Sequence, residues 1–171
     1  MDLEVGKHTI TALVEDRPGV LNRIASMFRR RGYNISSLAV GKSESVGMSR
    51  MTFVVEGDIS TVEMVVNNLQ KLVEVIKVAK VGGYNDVSRE LALVRVKADV
   101  SSRNEIMQIV DIFRAKIVDI AQGSLIVEVT GDEDKVDSLV ELLSSFGVRE
   151  VMRTGTISMT RGAIVERPVK N

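Results

Sequence analysis

The hydrophobic pattern of this chain runs through the same six elements twice, and that repetition constrains the fold more than any other feature. Residues 8–15 (HTITALVE) alternate apolar and polar side chains and are rich in β-branched residues, as a half-buried strand requires. Pro18 suits the first turn of a helix, where its missing N–H costs nothing. Val20, Leu21, Ile24, Ala25 and Phe28 then form an amphipathic stripe, and Gly32 ends it. Strands over 34–41 and 48–56 flank a polar turn at 42–47. Asp58 or Ser60 caps a second helix striped at Val62, Val65, Val66, Leu69 and Leu72, and residues 74–81 make a fourth strand. A turn-rich stretch at 82–87 (GGYNDV) reads as a linker. The order then returns. A strand covers 89–98, and Ser102 with Glu105 stands in capping-box spacing before a helix striped at Ile106, Ile109, Val110 and Phe113. Strands over 116–121 and 125–130 meet at Gly123. Asp132 caps a helix that Gly147 ends, and 148–153 is the last strand.

Two βαββαβ units predict an α+β chain of two ferredoxin-like sandwiches, each an antiparallel four-stranded sheet with both helices on one face. The expected domains are 7–82 and 88–155, followed by a tail over 156–171. The sheet face away from the helices is expected to keep apolar side chains such as Leu13, Phe53 and Val55. An uncovered apolar face and an open strand edge both invite a second copy, so a symmetric dimer is expected.

Composition removes several classes of chemistry. Lys plus Arg and Asp plus Glu both count 23, and this neutrality argues against a dedicated binder of nucleic acid or membrane surface. RNA modules of this fold stack bases on sheet aromatics, whereas here the third strand has only Phe53 and the first has none. The chain has no Cys, so thiolate chemistry and Cys-based metal sites are excluded. Its one His, His8, opens a strand and reads as an ordinary sheet residue. No glycine-rich nucleotide motif and no GxSxG occurs. Neither a catalytic group nor a metal site is expected. No apolar run is long enough to span a bilayer and the first residues do not look like a signal peptide, so the expected location is the cytoplasm.

One segment stands out. Asp16-Arg17-Pro18-Gly19-Val20-Leu21 joins the first strand to the first helix. Gly19 permits close approach of a ligand, and the free N–H groups of a first helical turn favour a carboxylate. Asp16 stands beside them and can accept hydrogen bonds from an ammonium. One turn can thus hold both ends of an α-amino acid. Equally, Asp16 can cap the helix while Pro18-Gly19 merely makes a corner. The physics leaves both readings open.

The segment EDRPGVL at 15–21, with FRRRGYNI at 28–35, resembles an ACT domain, the amino-acid-sensing module of biosynthetic regulation. RGYNISSL at 31–38, SRMT at 49–52, LQKLVEV at 69–75, RELALV at 89–94, IFRAKIVD at 112–119 and the stretch from Thr154-Gly155 to Arg161-Gly162 are similar to the small regulatory subunits of acetolactate synthase. The resemblance spans about residues 7–162. It implies a protein that is not an enzyme itself. It would instead activate a larger catalytic subunit and confer feedback inhibition by valine or another branched-chain amino acid. Thiamine diphosphate, flavin and Mg²⁺ would belong to that partner, with none in this chain. The resemblance also implies a homodimer through the ACT domain, with the effector between copies. The effector would then touch Asp16, Pro18, Gly19, Val20 and Leu21 of one copy and Asn34 and Ile35 of the other. Asp16 departs from the Asn common at this place, which bears on effector preference. A free-standing ACT-type sensor acting on another enzyme or regulator is the alternative.

Overall fold

The computed structural model describes residues 6–83 and 85–162. Its first unit runs β1 (Gly6–Glu15), α1 (Val20–Arg31), β2 (Asn34–Lys42), β3 (Met48–Gly57), α2 (Ile59–Gln70) and β4 (Val75–Val81). The strands form one antiparallel sheet in the order β2-β3-β1-β4. The second unit runs β5 (Asp86–Lys97), α3 (Arg103–Ile112), β6 (Lys116–Ala121), β7 (Ser124–Gly131), α4 (Glu133–Ser144) and β8 (Val148–Arg153), in the order β6-β7-β5-β8. Both are ferredoxin-like α+β sandwiches. The second compact unit is Ser88–Ile157, and the described residues up to Val87 and from Ser158 on group with the first.

Period-two alternation decides which side chains face the helices. Ile10, Ala12 and Val14 of β1 and Met51, Phe53 and Val55 of β3 are buried against Ile24 and Phe28 of α1 and Val62, Val65 and Leu69 of α2. Phe28 stacks on Phe53 with ring centroids 5.3 Å apart. Each such side chain stabilises by roughly 1.5–3 kcal/mol when fully buried. Phe53 and Val55 therefore belong to the helix-covered face, not to the open one. The opposite face carries Thr9, Thr11 and Leu13 of β1 and Arg50, Thr52 and Val54 of β3. The second core repeats the arrangement with Ala92, Val94, Val96, Leu125, Val127 and Val129 under Ile106, Val110, Val136, Leu139 and Leu143.

The repetition extends to the irregularities. The β1–β4 register shifts between Leu13 and Val14, and the β5–β8 register between Arg95 and Val96. The β2–β3 shift lies at Ile35/Ser37 and the β6–β7 shift at Ile117/Asp119. Each pair is 82 positions apart, as Arg95 is from Leu13 and Ile117 from Ile35. Both first helices also end alike. Gly32 at φ 70 and Arg114 at φ 51 are left-handed, and the residues that follow donate to Phe28 O and Val110 O. The two units share one corner design.

Some boundaries differ from the sequence expectation. Pro18 lies outside α1, because Gly19 is the N-cap and the helix opens at Val20. Asp58, not Ser60, caps α2 by accepting from Thr61 N at 2.7 Å. Ser102 makes no side-chain cap. Asp99 instead accepts from the N–H groups of Ser101 and Ser102 at 3.1 and 2.9 Å. β5 begins at Asp86, inside the stretch read as linker. Residues Ile157–Thr160 form a further strand, β9, paired with β5, where a tail was expected. The rest of that tail, 163–171, lies outside the described residues.

Candidate functional site

The corner between β1 and α1 is held open by its backbone. Glu15 N–H donates to Glu74 O at 2.9 Å and Asp16 N–H to Gly47 O at 2.8 Å, which fixes the end of β1. Gly19 then takes φ 90 and ψ −16, a left-handed conformation that glycine adopts without steric cost. No side chain caps the helix, so the reading of Asp16 as a cap is overturned. The Asp16 carboxylate is exposed. Val20 N–H reaches Arg17 O only at 3.4 Å, and the N–H groups of Gly19 and Leu21 meet no acceptor among the described residues. Unpaired donors at the positive end of a helix are suited to a carboxylate.

Other residues expected at this site are placed unequally. Pro18 and Gly19 are exposed on the turn. Val20 is buried in the core with Ile24 and Phe28, which leaves its side chain little surface for a ligand. Leu21 is half exposed. Ile35 is partly buried against the same core, and Asn34 Nδ2 donates to Glu56 Oε2 at 3.1 Å. Within one chain the turn and Asn34 are not brought together. Glu15 pairs with Met48 at one end of β3, while Asn34 pairs with Glu56 at the other. Eight residues of strand separate those ends by roughly 26 Å. Asn34 and Ile35 open β2, which is an edge strand.

Three residues to which the sequence pointed no role shape the corner. Arg17, Pro18, Gly19, Val20, Arg23 and Glu74 line a small cavity of about 270 Å³. Glu74 Oε1 accepts from Arg23 Nη1 at 2.6 Å and more weakly from Arg17 Nη2 at 3.5 Å. Arg17 Nε pairs in turn with Glu15 at 2.7 Å. The Glu74 side chain is only 8% exposed, and its Oε2 is buried without a hydrogen-bond partner among the described residues. Glu74 stands 57 positions from Arg17, with no spacing rule to link them.

No group of three or more metal-type side chains occurs among the described residues. His8 Nε2 donates to Gly57 O at 3.1 Å across the β1–β3 pair, a structural contact. No helix among the described residues is long and apolar enough to cross a membrane.

Comparison with known proteins accounts for both units. Residues 10–77 match the model of the AHAS small subunit-like ACT domain, and residues 89–162 match that of the small subunit of acetolactate synthase. The chain is 53% identical over 156 residues to a probable acetolactate synthase small subunit of Archaeoglobus fulgidus, covering 91% of this chain and 98% of that one. It is 48% identical over 155 residues to the acetolactate synthase small subunit of Mycolicibacterium smegmatis, covering 91% of each. The crystal structure of the acetolactate synthase small subunit from Thermotoga maritima aligns with a TM-score of 0.86 at 42% identity, covering 93% of this chain and 99% of that one.

Proposed function

The chain belongs to the family of acetolactate synthase small subunits, and from that premise we propose that it is a regulatory subunit that senses a branched-chain amino acid at the Gly19 turn. The observation that carries the reading is an open left-handed turn, with donors unpaired among the described residues, at the start of an ACT-type helix. The effector's carboxylate takes the N–H groups of the turn. Asp16 of the same copy and Asn34 of a second copy accept from its ammonium, and Leu21 and Ile35 flank its side chain. The regulated reaction, condensation of two pyruvates or of pyruvate with 2-oxobutyrate, takes place on a large catalytic partner. Thiamine diphosphate, flavin and Mg²⁺ belong to that partner.

A ligand that ties two copies in one relative orientation shifts the equilibrium its partner reads, and such coupling is typically about 5–150-fold in affinity. The test is an assay of pyruvate condensation by the large subunit, with and without this chain, across a titration of valine, leucine and isoleucine. Turnover should rise on addition of the chain and fall again with one of the three. No stimulation, and no complex by gel filtration, would leave the chain acting as an amino-acid sensor on some other partner.

A further inference from the structure

The duplicated fold carries an internal control for the ionic cluster behind the turn. Counting 82 positions on, the counterparts of Arg17 and Arg23 are Asp99 and Glu105. The counterpart of Glu74 follows from the backbone. Glu15 N–H donates to Glu74 O in the first unit, and Lys97 N–H donates to Gly147 O in the second. The second unit therefore builds the same strand-to-helix corner with no buried carboxylate there among the described residues, and the arginine that opens its helix, Arg103, donates to Ala121 O and Gln122 O instead. There Asp99 holds the turn from within, taking the N–H groups of Ser101 and Ser102.

The fold does not need a buried Glu at this corner, and stability does not favour one. A buried carboxylate with an oxygen lacking a donor is costly, and buried ion pairs are weak contributors to stability. What the cluster does is join three elements at Gly19. Arg17 comes from the turn, Arg23 from the first turn of α1, and Glu74 from the residue before β4. We infer that Glu74 is a positioning residue for the effector turn: through Arg17 and Arg23, which flank Gly19, it holds the free N–H groups in the geometry that receives the effector, without touching the effector itself. In the second unit Asp99 accepts from the N–H groups of Ser101 and Ser102, the counterparts of Gly19 and Val20, so that turn is closed by its own side chain. This inference rests on the proposed effector site.

The full chain tests it by two readouts. Calorimetry with valine, leucine and isoleucine on the wild type, Glu74→Gln and Arg23→Gln should show about tenfold weaker binding of the effector in each variant, the scale of one lost charged hydrogen bond. The double variant should be no worse than either single one, because one clamp is lost only once. Hydrogen exchange without effector should quicken at residues 19–22 in both variants and stay unchanged at 101–104 and along β1. Unchanged affinity and unchanged exchange at 19–22 would overturn the inference. So would faster exchange spread through β1, which marks loss of the unit's packing instead of a loosened turn. If the wild type binds none of the three amino acids, the effector reading fails, and exchange still decides the brace. Arg23 is largely exposed, so its variant keeps the test available should Glu74→Gln fail to fold.

Discussion

At Gly19 the backbone sits at φ 90, and a Cβ added there would meet nothing within 4 Å. Substitution therefore meets no clash inside the chain. It acts through strain in a left-handed conformation and through a side chain projecting in front of the free N–H groups. Gly19→Asp places a carboxylate where the effector's own carboxylate is proposed to sit. Calorimetry should show effector affinity lowered by about tenfold or more, with the circular dichroism of the folded chain retained. Unchanged affinity would remove the turn from the site. Gly32 and Arg114 make a matched pair for the same backbone region. Each is left-handed at the end of a first helix, but only one is glycine. Arg114→Gly should stabilise the second unit by about 0.5–1 kcal/mol, the relief of strain less the entropy glycine loses on folding. Gly32→Ala should destabilise the first by about 1 kcal/mol. Denaturant midpoints measure both, and a loss of stability in Arg114→Gly would contradict the strain argument.

Among the elements, the two α-helical starts show what periodicity reveals and what it hides. The stripes of the four helices and the alternation of β1 were visible in the sequence, because burial enforces them residue by residue, whereas β4 and β6 do not alternate in burial. The start of α1 was read two residues early because Pro18 favours a first helical turn, whereas the left-handed Gly19 delays the helix to Val20. The start of α3 was placed correctly at Ser102 on spacing, but its side chain makes no cap, and Asp99, three residues earlier, accepts from the amides of Ser101 and Ser102. A loop carboxylate's reach depends on backbone angles that no spacing encodes. The Gly19 turn was legible for the same reason the repeat was, since its residues are contiguous. Glu74 was not, because it meets Arg23 only through tertiary folding. Asp99 also gives α3 a pH signature. Hydrogen bonds from the Ser101 hydroxyl, and then from the Ser102 amide and hydroxyl, lower its carboxyl from 3.8 to about 2. A pKa lowered in the folded state contributes stability above the unfolded value and loses it as pH falls from about 4 through about 2. Unfolding midpoints of the wild type and Asp99→Asn should differ at pH 6 and converge toward pH 2. A difference that persists at pH 2 would assign the effect to shape and not to charge.

For the molecule as a whole, the proposed effector site requires a second copy, because the turn and Asn34 are far apart. The two lie at opposite ends of one sheet, roughly 26 Å apart along β3. A single unit therefore cannot close both around one amino acid. β2 is an edge strand, and a two-fold axis perpendicular to the sheet would lay two β2 strands antiparallel. That rotation exchanges the ends of the sheet, so the turn end of each copy lies beside the Asn34 end of its neighbour. Dimerisation through this edge and effector binding should then fail together. Val40, half exposed on β2, is a suitable place to test this. Val40→Pro removes an N–H from β2 and should split the pair while the buried core, centred on β1, β3 and the two helices, keeps its fold. Sedimentation of the variant should give a monomer, and titration of the same sample should show effector affinity reduced by at least about tenfold, since half of the proposed contacts are gone. A folded monomer that binds the effector as tightly as the wild type would place the whole site on one copy, and the turn with its Glu74 brace would then have to account for recognition alone.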